Sequence, residues 1–219
     1  MAHPMDLVEI FPAFGIRIEC GPVTLRAMRE SDAPRVAALA AEGIHAPSAR
    51  PFLRPWNLEE KQPMTSLQFY YRTWASVTPE SWTLLFAVER DGVLVGAQDM
   101  MTESFPVLRT AETGSWLGLA HQGVGTGTLM RQAILTFAFD HLGAREMTSG
   151  AWADNPSSHR VSEKCGYVLN GYELRDRQGE AVRSDRFVVT PETFVRPSYD
   201  VEVSGLDAFA RSIGLEVTP

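Results

Sequence analysis

A chain of 219 residues, 44% hydrophobic and 21% charged, is long enough for one sizeable core and too apolar to stay disordered. Its 20 Lys and Arg stand against 27 Asp and Glu, and this net charge of -7 offers no global field to nucleic acid or an anionic membrane, so any polyanion it binds must be small and held by local donors. Two cysteines without a C-x-x-C spacing, five histidines without an H-E-x-x-H run and no apolar stretch of roughly 18–20 residues give no sign of a disulfide framework, a metal site or a membrane span, which points to the cytoplasm.

In chain order the pattern is α+β. Ile16 to Cys20 and Val23 to Met28 alternate as a strand pair around Gly21-Pro22, and Ser31-Asp32-Ala33-Pro34 predicts a helix to about Glu42 with a proline in its first turn. From His45 to Leu58, Pro47, Pro51 and Pro55 interleave with Arg50, Arg54 and Trp56, so this stretch is a loop. A second helix is predicted over Pro63 to Ser76. Ser81 to Arg90 and Val93 to Ser104 flank Asp91-Gly92, a pair that accepts the positive φ angles of a two-residue hairpin turn. Ala111 to Leu119 is a further strand, Gly125 to Leu142 a helix with Met130, Ile134 and Phe137 on one stripe, and Arg145 to Ala153 a strand. Asn155 caps the next helix, with Pro156 at its first position and Gly166 at its end. Tyr167 to Asp176 then pairs with Val182 to Val189 around Gln178-Gly179-Glu180. The sum is a mixed, mostly antiparallel sheet with helices on both faces. Past Pro191 the pattern weakens apart from a short helix over Ser204 to Ile213, so one domain over residues 1–190 and a C-terminal extension over 191–219 are expected.

The stretch Trp116 to Thr128 ends a strand, crowds a turn with Gly118, Gly123, Gly125 and Gly127, and opens a long helix. Unpaired backbone N–H groups and the macrodipole at such a helix N-terminus hold phosphate without a basic side chain, the kind of grip an acidic chain requires. A P-loop is disfavoured, because Gly127 is followed by Thr128 and no lysine is near. A dinucleotide site expects G-x-G-x-x-G and a parallel sheet, whereas these glycines run G-x-G-x-G after hairpin-linked strands; Asp154 would be its ribose acid. A turn that merely joins strand to helix is the plain alternative.

Three segments then carry a resemblance. Gln122-Gly123-Val124-Gly125-Thr126-Gly127 resembles the Q/R-x-x-G-x-G/A signature of the GNAT superfamily of N-acetyltransferases. Glu112-Thr113-Gly114-Ser115-Trp116-Leu117 and the run from Asn155-Pro156-Ser157-Ser158 to Lys164-Cys165-Gly166-Tyr167 resemble the E-x-G-x-W-L and N-x-x-S-x-x-V-x-E-K-x-G-F/Y blocks of its ribosomal-protein acetyltransferase-like branch, the RimJ/RimL type. The resemblance covers about Ile16 to Thr190. It implies a sheet splayed between the strand ending near Leu119 and the strand ending near Ala153, with acetyl-CoA or another acyl-CoA wedged into the gap and no metal. By the same carry-over Gln122, Gly123, Val124, Gly125, Thr126 and Gly127 hold the pyrophosphate, Trp116 and Leu117 offer backbone groups to the pantetheine arm, and Asn155 reaches the pantetheine amides. The Leu117 N–H polarises the thioester carbonyl, and a donor aimed at a developing oxyanion is worth roughly 3 kcal/mol to acyl transfer.

Direct transfer needs a neutral amine and a protonated leaving thiol. Glu112 shares a strand face with Trp116 by its even offset and is the candidate base; pairing with a cation is its other role. Many family members place a tyrosine acid where this chain has Ser162. Ser158, Ser162 and Cys165 share one helix face, with Ser158 the candidate acid and Ser162 the second hydroxyl in reach. Cys165 ends its helix, where the macrodipole disfavours a thiolate, so it reads as a small packing residue. By location alone, His45, Arg50, Arg54, Trp56, Tyr70 and Tyr71 are acceptor-side candidates, and an arginine would also suit a donor with a terminal carboxylate such as succinyl-CoA. The expected partners are an acyl-CoA and a primary amine, either a protein N-terminus, a lysine or a small molecule, with no nucleic acid and no membrane; a homodimer is allowed. A succinyl-transferring enzyme and a non-catalytic coenzyme A-binding module are the alternatives. Double-reciprocal initial-rate plots should intersect, whereas parallel lines would mark an acyl-enzyme on Cys165.

Overall fold

The computed structural model describes residues 4–46, 49–52 and 56–215. Its helices are α1 (Leu7–Ile10), α2 (Ala33–Ala41), α3 (Gln62–Ala75), α4 (Phe105–Leu108), α5 (Thr126–Thr136), α6 (Pro156–Lys164) and α7 (Leu206–Ser212). The strands are β1 (Arg17–Cys20), β2 (Val23–Ala27), β3 (Ser81–Arg90), β4 (Val93–Glu103), β5 (Thr110–Leu117), β6 (Glu146–Trp152), β7 (Val168–Arg177), β8 (Glu180–Val189) and β9 (Val201–Ser204). Among the described residues no helix is long and apolar enough to cross a membrane.

The hairpins form where turn chemistry permits them: Asp91 and Gly92 take φ angles of 51° and 77°, and Gln178 and Gly179 take 60° and 89°. The strands join into one sheet in the order β7-β8-β6-β5-β4-β3-β2-β1-β9. The neighbours are antiparallel except β5 and β6, which run parallel. That parallel pair spans only Thr110↔Glu146, Ala111↔Met147 and Glu112↔Thr148. Beyond it the strands separate, β5 continuing against β4 as far as Leu117 and β6 against β8 as far as Trp152. The fold is thus the α+β, mixed and splayed sheet that the sequence predicts.

Strand alternation sends apolar residues to both faces. Ile18, Leu25, Phe86 and Met100 meet Met130 and Ile134 of α5 on one face, while Leu85, Ala87 and Leu94 meet Val36, Leu39 and Tyr70 from α2 and α3 on the other. The helix predicted to reach Leu142 is α-helical only to Thr136 and continues as a π-turn over Phe137–His141. This wider turn changes the helical phase, and Phe137, Ala138 and Phe139 are buried in succession. β9 is a strand that periodicity could not mark, since its four residues carry too short an alternation; it forms on the otherwise open edge of β1, from Arg17↔Ser204 to Cys20↔Val201. Phe209 and Ile213 are also fully buried, with Phe209 edge-on to Trp82 at 5.6 Å, so residues 201–213 of the expected extension complete the sheet edge and the main core.

One charged network ties β2 to α2. The buried carboxylate of Asp32 accepts two hydrogen bonds from Arg26, both 2.7 Å, and one from the Arg29 N–H at 2.9 Å, while Arg26 also holds Glu89 at 2.9 Å. Burial pushes the Asp32 carboxyl up, but the Arg26 and Arg29 donors outweigh it and hold the group below the usual carboxylate range. Asp32→Asn should lower stability by about 1–3 kcal/mol in urea unfolding at neutral pH. The carboxylate's contribution is complete above its unfolded value near 3.9 and disappears as pH falls through the lower folded value, so the midpoints of wild type and variant should converge in acid.

Candidate active site

Where β5 leaves β6, its alternation sorts side chains onto two sides of the resulting cleft. Ala111 and Leu117 point into the α5-side core, with Thr113 and Ser115 in step with them; Glu112, Gly114 and Trp116 line the α2–α3 side. On that second side Glu112 is gripped by Arg186 of β8 through contacts of 2.7 and 3.3 Å, so its alternative as a cation partner is realised. Across the β4–β5 ladder stands a second carboxylate. Asp99, the register partner of Gly114, accepts the Gly114 N–H at 2.7 Å, and a Cβ at position 114 would lie 2.8 Å from the same oxygen. The glycine of the E-x-G-x-W segment is therefore what lets Asp99 fold over its neighbour. Burial pushes the Asp99 carboxyl up to about 6, against the Gly114 N–H and the field of Arg131, which act downward; Glu112 adds to the rise. Sequence reading missed Asp99 because a lone acid in a hairpin strand carries no signal until the register sets it beside Gly114.

At the open end of β5, Gly123 and Gly125 adopt φ angles of 79° and 86°, in the region that favours glycine. Among the described residues the N–H groups of Gly123, Val124 and Gly125 have no acceptor, and α5 begins directly at Thr126. A Cβ on Gly127 would make only ordinary contacts, so that glycine is not demanded by the backbone. The Gln122 side chain turns inward, donating to the carbonyls of Leu117 at 2.9 Å and Ile44 at 2.7 Å, and so staples the strand end to the segment after α2. A cation that sequence reading overlooked sits here: Arg90, at the end of β3, donates to Thr126 Oγ1 at 3.0 Å.

The other wall is α6 and the strand before it. Asn155 caps the helix by accepting the Ser158 N–H at 3.2 Å, as its sequence position predicts. Ser158 is half-buried, whereas Ser162 is fully buried with its hydroxyl unpartnered. Cys165 is buried, its Sγ 3.7 Å from the Thr128 carbonyl, and burial pushes its thiol to about 11 despite the opposing field of Arg131. It is unsuited to nucleophilic work near neutral pH. Asp154 is held in two contacts of 2.8 and 2.9 Å by Arg177, so it is not a free ribose acid. Beneath the gap, buried Arg131 of α5 donates to Ser115 of β5 and to Ser149 of β6, each at 3.2 Å.

Over the α2–α3 side the predicted loop is tied to the cleft by a run of rings: His45 to Phe52 at 6.0 Å, Phe52 to Trp56 at 5.3 Å, and Trp56 to Trp116 at 5.6 Å. His45 Nε2 also lies 3.0 Å from Asn57 Nδ2. A cavity lies between this loop and the tip of the β7–β8 hairpin, lined by His45, Arg50, Phe52, Asn57, Arg177 and Gln178. Tyr70 is buried in the core, its phenol pushed up to about 12 by burial, and Tyr71 donates to Glu30 at 2.6 Å, so these tyrosines hold α3 in place. Arg54 lies outside the described residues.

The family model of the acetyltransferase (GNAT) domain matches residues 23–168. The ribosomal-protein-serine acetyltransferase of Escherichia coli is 29% identical over 87 residues, which cover 40% of this chain and 48% of that protein, so the chain matches about half the length of this curated relative. Among solved structures, RimL, a ribosomal alpha-N-protein acetyltransferase in complex with coenzyme A, is similar with a TM-score of 0.63 at 18% identity, over 78% of this chain and 98% of that one. A spermidine N-acetyltransferase from Vibrio cholerae in complex with CoA and spermine is similar with a TM-score of 0.60 at 18% identity, over 78% and 97% of the two chains. At these identities the likeness establishes the fold.

The raised Asp99 carboxyl has a measurable consequence. A carboxyl raised on folding stabilises the fold fully below its unfolded value near 3.9, and this contribution is lost as pH rises through about 6. Asp99→Asn keeps the acceptor for the Gly114 N–H and removes the half-buried charge, so the variant should melt above wild type at pH 8 and converge with it toward pH 4.

Proposed function

The chain belongs to the acetyltransferase (GNAT) domain family, and on that premise we propose that it is a cytoplasmic N-acetyltransferase that moves an acetyl group from acetyl-CoA directly to a primary amine. The observation that supports this reading most is the juxtaposition of two features: strands that part after Glu112 and Thr148, and a helix N-terminus with free N–H groups at the open end of the same gap. Coenzyme A presents both a narrow arm and a pyrophosphate. The arm matches the gap, and the phosphates match the N–H groups of Gly123 to Gly127, with Arg90 adding the positive charge that the chain as a whole lacks. The elements that carry this chemistry all fall within residues 1–190, while 201–213 support them from the far edge of the sheet.

In this reading the donor lies along β5, and the Leu117 N–H polarises its thioester carbonyl. The amine enters on the side of Trp116, beneath the loop that carries Phe52 and Trp56. Two carboxylates face it there. Glu112, neutralised by Arg186, orients the amine, and Asp99, whose nearest partner is a backbone N–H, draws in the ammonium and relieves it of a proton. Such a pair selects a cationic acceptor, in keeping with the acidic composition. Ser158, at the mouth of α6, supplies a hydroxyl to the departing sulfur.

The alternative of a coenzyme-binding module without catalysis draws on one observation, the burial of Ser162 where relatives carry a tyrosine acid. The two readings separate in solution. Acetyl-CoA and free coenzyme A should raise the melting temperature, and amine pools should then release free thiol; stabilisation without acceptor-dependent thiol release would overturn the enzyme reading. Succinyl-CoA in the same panel identifies the acyl group. Asp99→Asn and Glu112→Gln should each lower kcat/KM for the amine roughly 10- to 100-fold while leaving coenzyme binding intact. Gly125→Ala, which forces a side chain into the left-handed region, should weaken coenzyme binding about tenfold.

A further inference from the structure

Arg131 is only 4% exposed, yet among the described residues no carboxylate pairs with it; Nη1 donates to the Ser149 hydroxyl, Nη2 to the Ser115 hydroxyl, and its Nε has no partner. A buried guanidinium without an anion is strongly destabilising. Two other buried polar side chains are also without partners. Gln98, 1% exposed and the register partner of Ser115, has neither its amide oxygen nor its nitrogen satisfied, and the Ser162 hydroxyl is unpartnered in the α6 wall. A half-satisfied buried network of this kind is a poor structural device, since an apolar core of the same shape would cost less.

Its position supplies the missing purpose. The serines that hold Arg131 stand on opposite strands of the gap: Ser115 three residues beyond the last β5 pairing and Ser149 directly after the last β6 pairing. The guanidinium therefore spans the cleft near its closed end, on the side facing α5. Resting on the proposed function, we propose that Arg131, with Ser115 and Ser149, is an anion-holding site that receives the coenzyme thiolate as it leaves.

The reaction leaves negative charge on the departing sulfur. The amine lone pair forms the C–N bond to the acyl carbon, the C–S bond breaks with its electron pair going to sulfur, and the proton lost by nitrogen finally resides on the thiol. A guanidinium already in place stabilises the sulfur before that proton arrives, so a tyrosine acid is not needed where this chain has Ser162. The titratable groups that feel Arg131 are Cys165, Tyr167 and Asp99, and its field acts downward on each. Its Cζ stands 5.8 Å from the centre of the Tyr167 ring.

The test needs no acceptor. Free coenzyme A is bound to the full-length protein, and the thiolate of the bound coenzyme is titrated by its ultraviolet absorbance, with affinity measured separately by calorimetry. In wild type the thiolate fraction at neutral pH should rise about tenfold over free coenzyme; Arg131→Lys should keep part of the rise, and Arg131→Met should abolish it while still binding coenzyme. A wild-type protein that fails to bind coenzyme overturns the proposed function itself. Binding with a thiol that titrates as in free solution overturns the thiolate site alone, as does a rise that survives in Arg131→Met or a variant that selectively loses succinyl-CoA over acetyl-CoA. Should Arg131→Met fail to fold, Ser115→Ala and Ser149→Ala release the guanidinium without removing it, and an undiminished thiolate fraction in both would count against the site.

Discussion

Two neighbouring strands that run parallel for three residue pairs and then part leave polar backbone on both inner edges, and the rest of the molecule is arranged so that this opening survives. Each edge is supported from its outer side: β5 is laddered to β4 from Gly96↔Leu117 to Met101↔Glu112, and β6 to β8 from Met147↔Val189 to Trp152↔Ser184. The molecule thus holds two half-sheets that are each sound alone. They meet at the short parallel stretch, and α5 packs beneath the larger half against β1 and β2. Arg131 of α5 reaches one serine hydroxyl on each side of the opening.

Close approach of backbones decides how the opening is shaped. Gly96 lets β4 run against the Trp116 carbonyl, which a Cβ would overlap, and Gly114 leaves room for the Asp99 carboxylate. Gln122 then clamps the end of β5 through the Leu117 carbonyl. The result is a strand whose cleft side is held by contacts made behind it, so that Trp116 is free to serve as the base of the aromatic run through Trp56 and Phe52. Held rigidly from three sides, such a strand can present backbone groups to a ligand without paying for their ordering at the moment of binding.

Electrostatics follow the same division. The overall charge is -7, but the cations near the cleft are placed singly and with purpose: Arg90 at the glycine turn, Arg131 under the gap, Arg186 against Glu112. The carboxylates Asp99 and Glu112 lie on the opposite side of the sheet from Arg131, so the acidic groups and the buried guanidinium are kept on separate faces. A thin sheet between the two lets their fields act on one another, as the downward pull of Arg131 on Asp99 records.

Much of this was legible in the residues themselves, and the divide has a physical basis. Local chemistry is written locally: the Asp91-Gly92 turn, the Asn155 cap and the helix that opens after the glycine turn depend on residues a few positions apart, and each forms where its residues predict it. The sequence by itself therefore determined the order of elements from β1 to β8, the glycine turn that opens α5, and the splayed α+β architecture that its three motifs imply. Only the tertiary structure decided which polar residues meet. Asp99 beside Gly114, Arg186 on Glu112, Arg131 between Ser115 and Ser149, and β9 on the edge of β1 are pairings between distant segments, and no periodicity announces them. Gln122 shows the limit most plainly: its place in the motif was read from the sequence, but the use of its amide, on two carbonyls of the protein, exists only once the strand end and the segment after α2 have been brought within 3 Å of it.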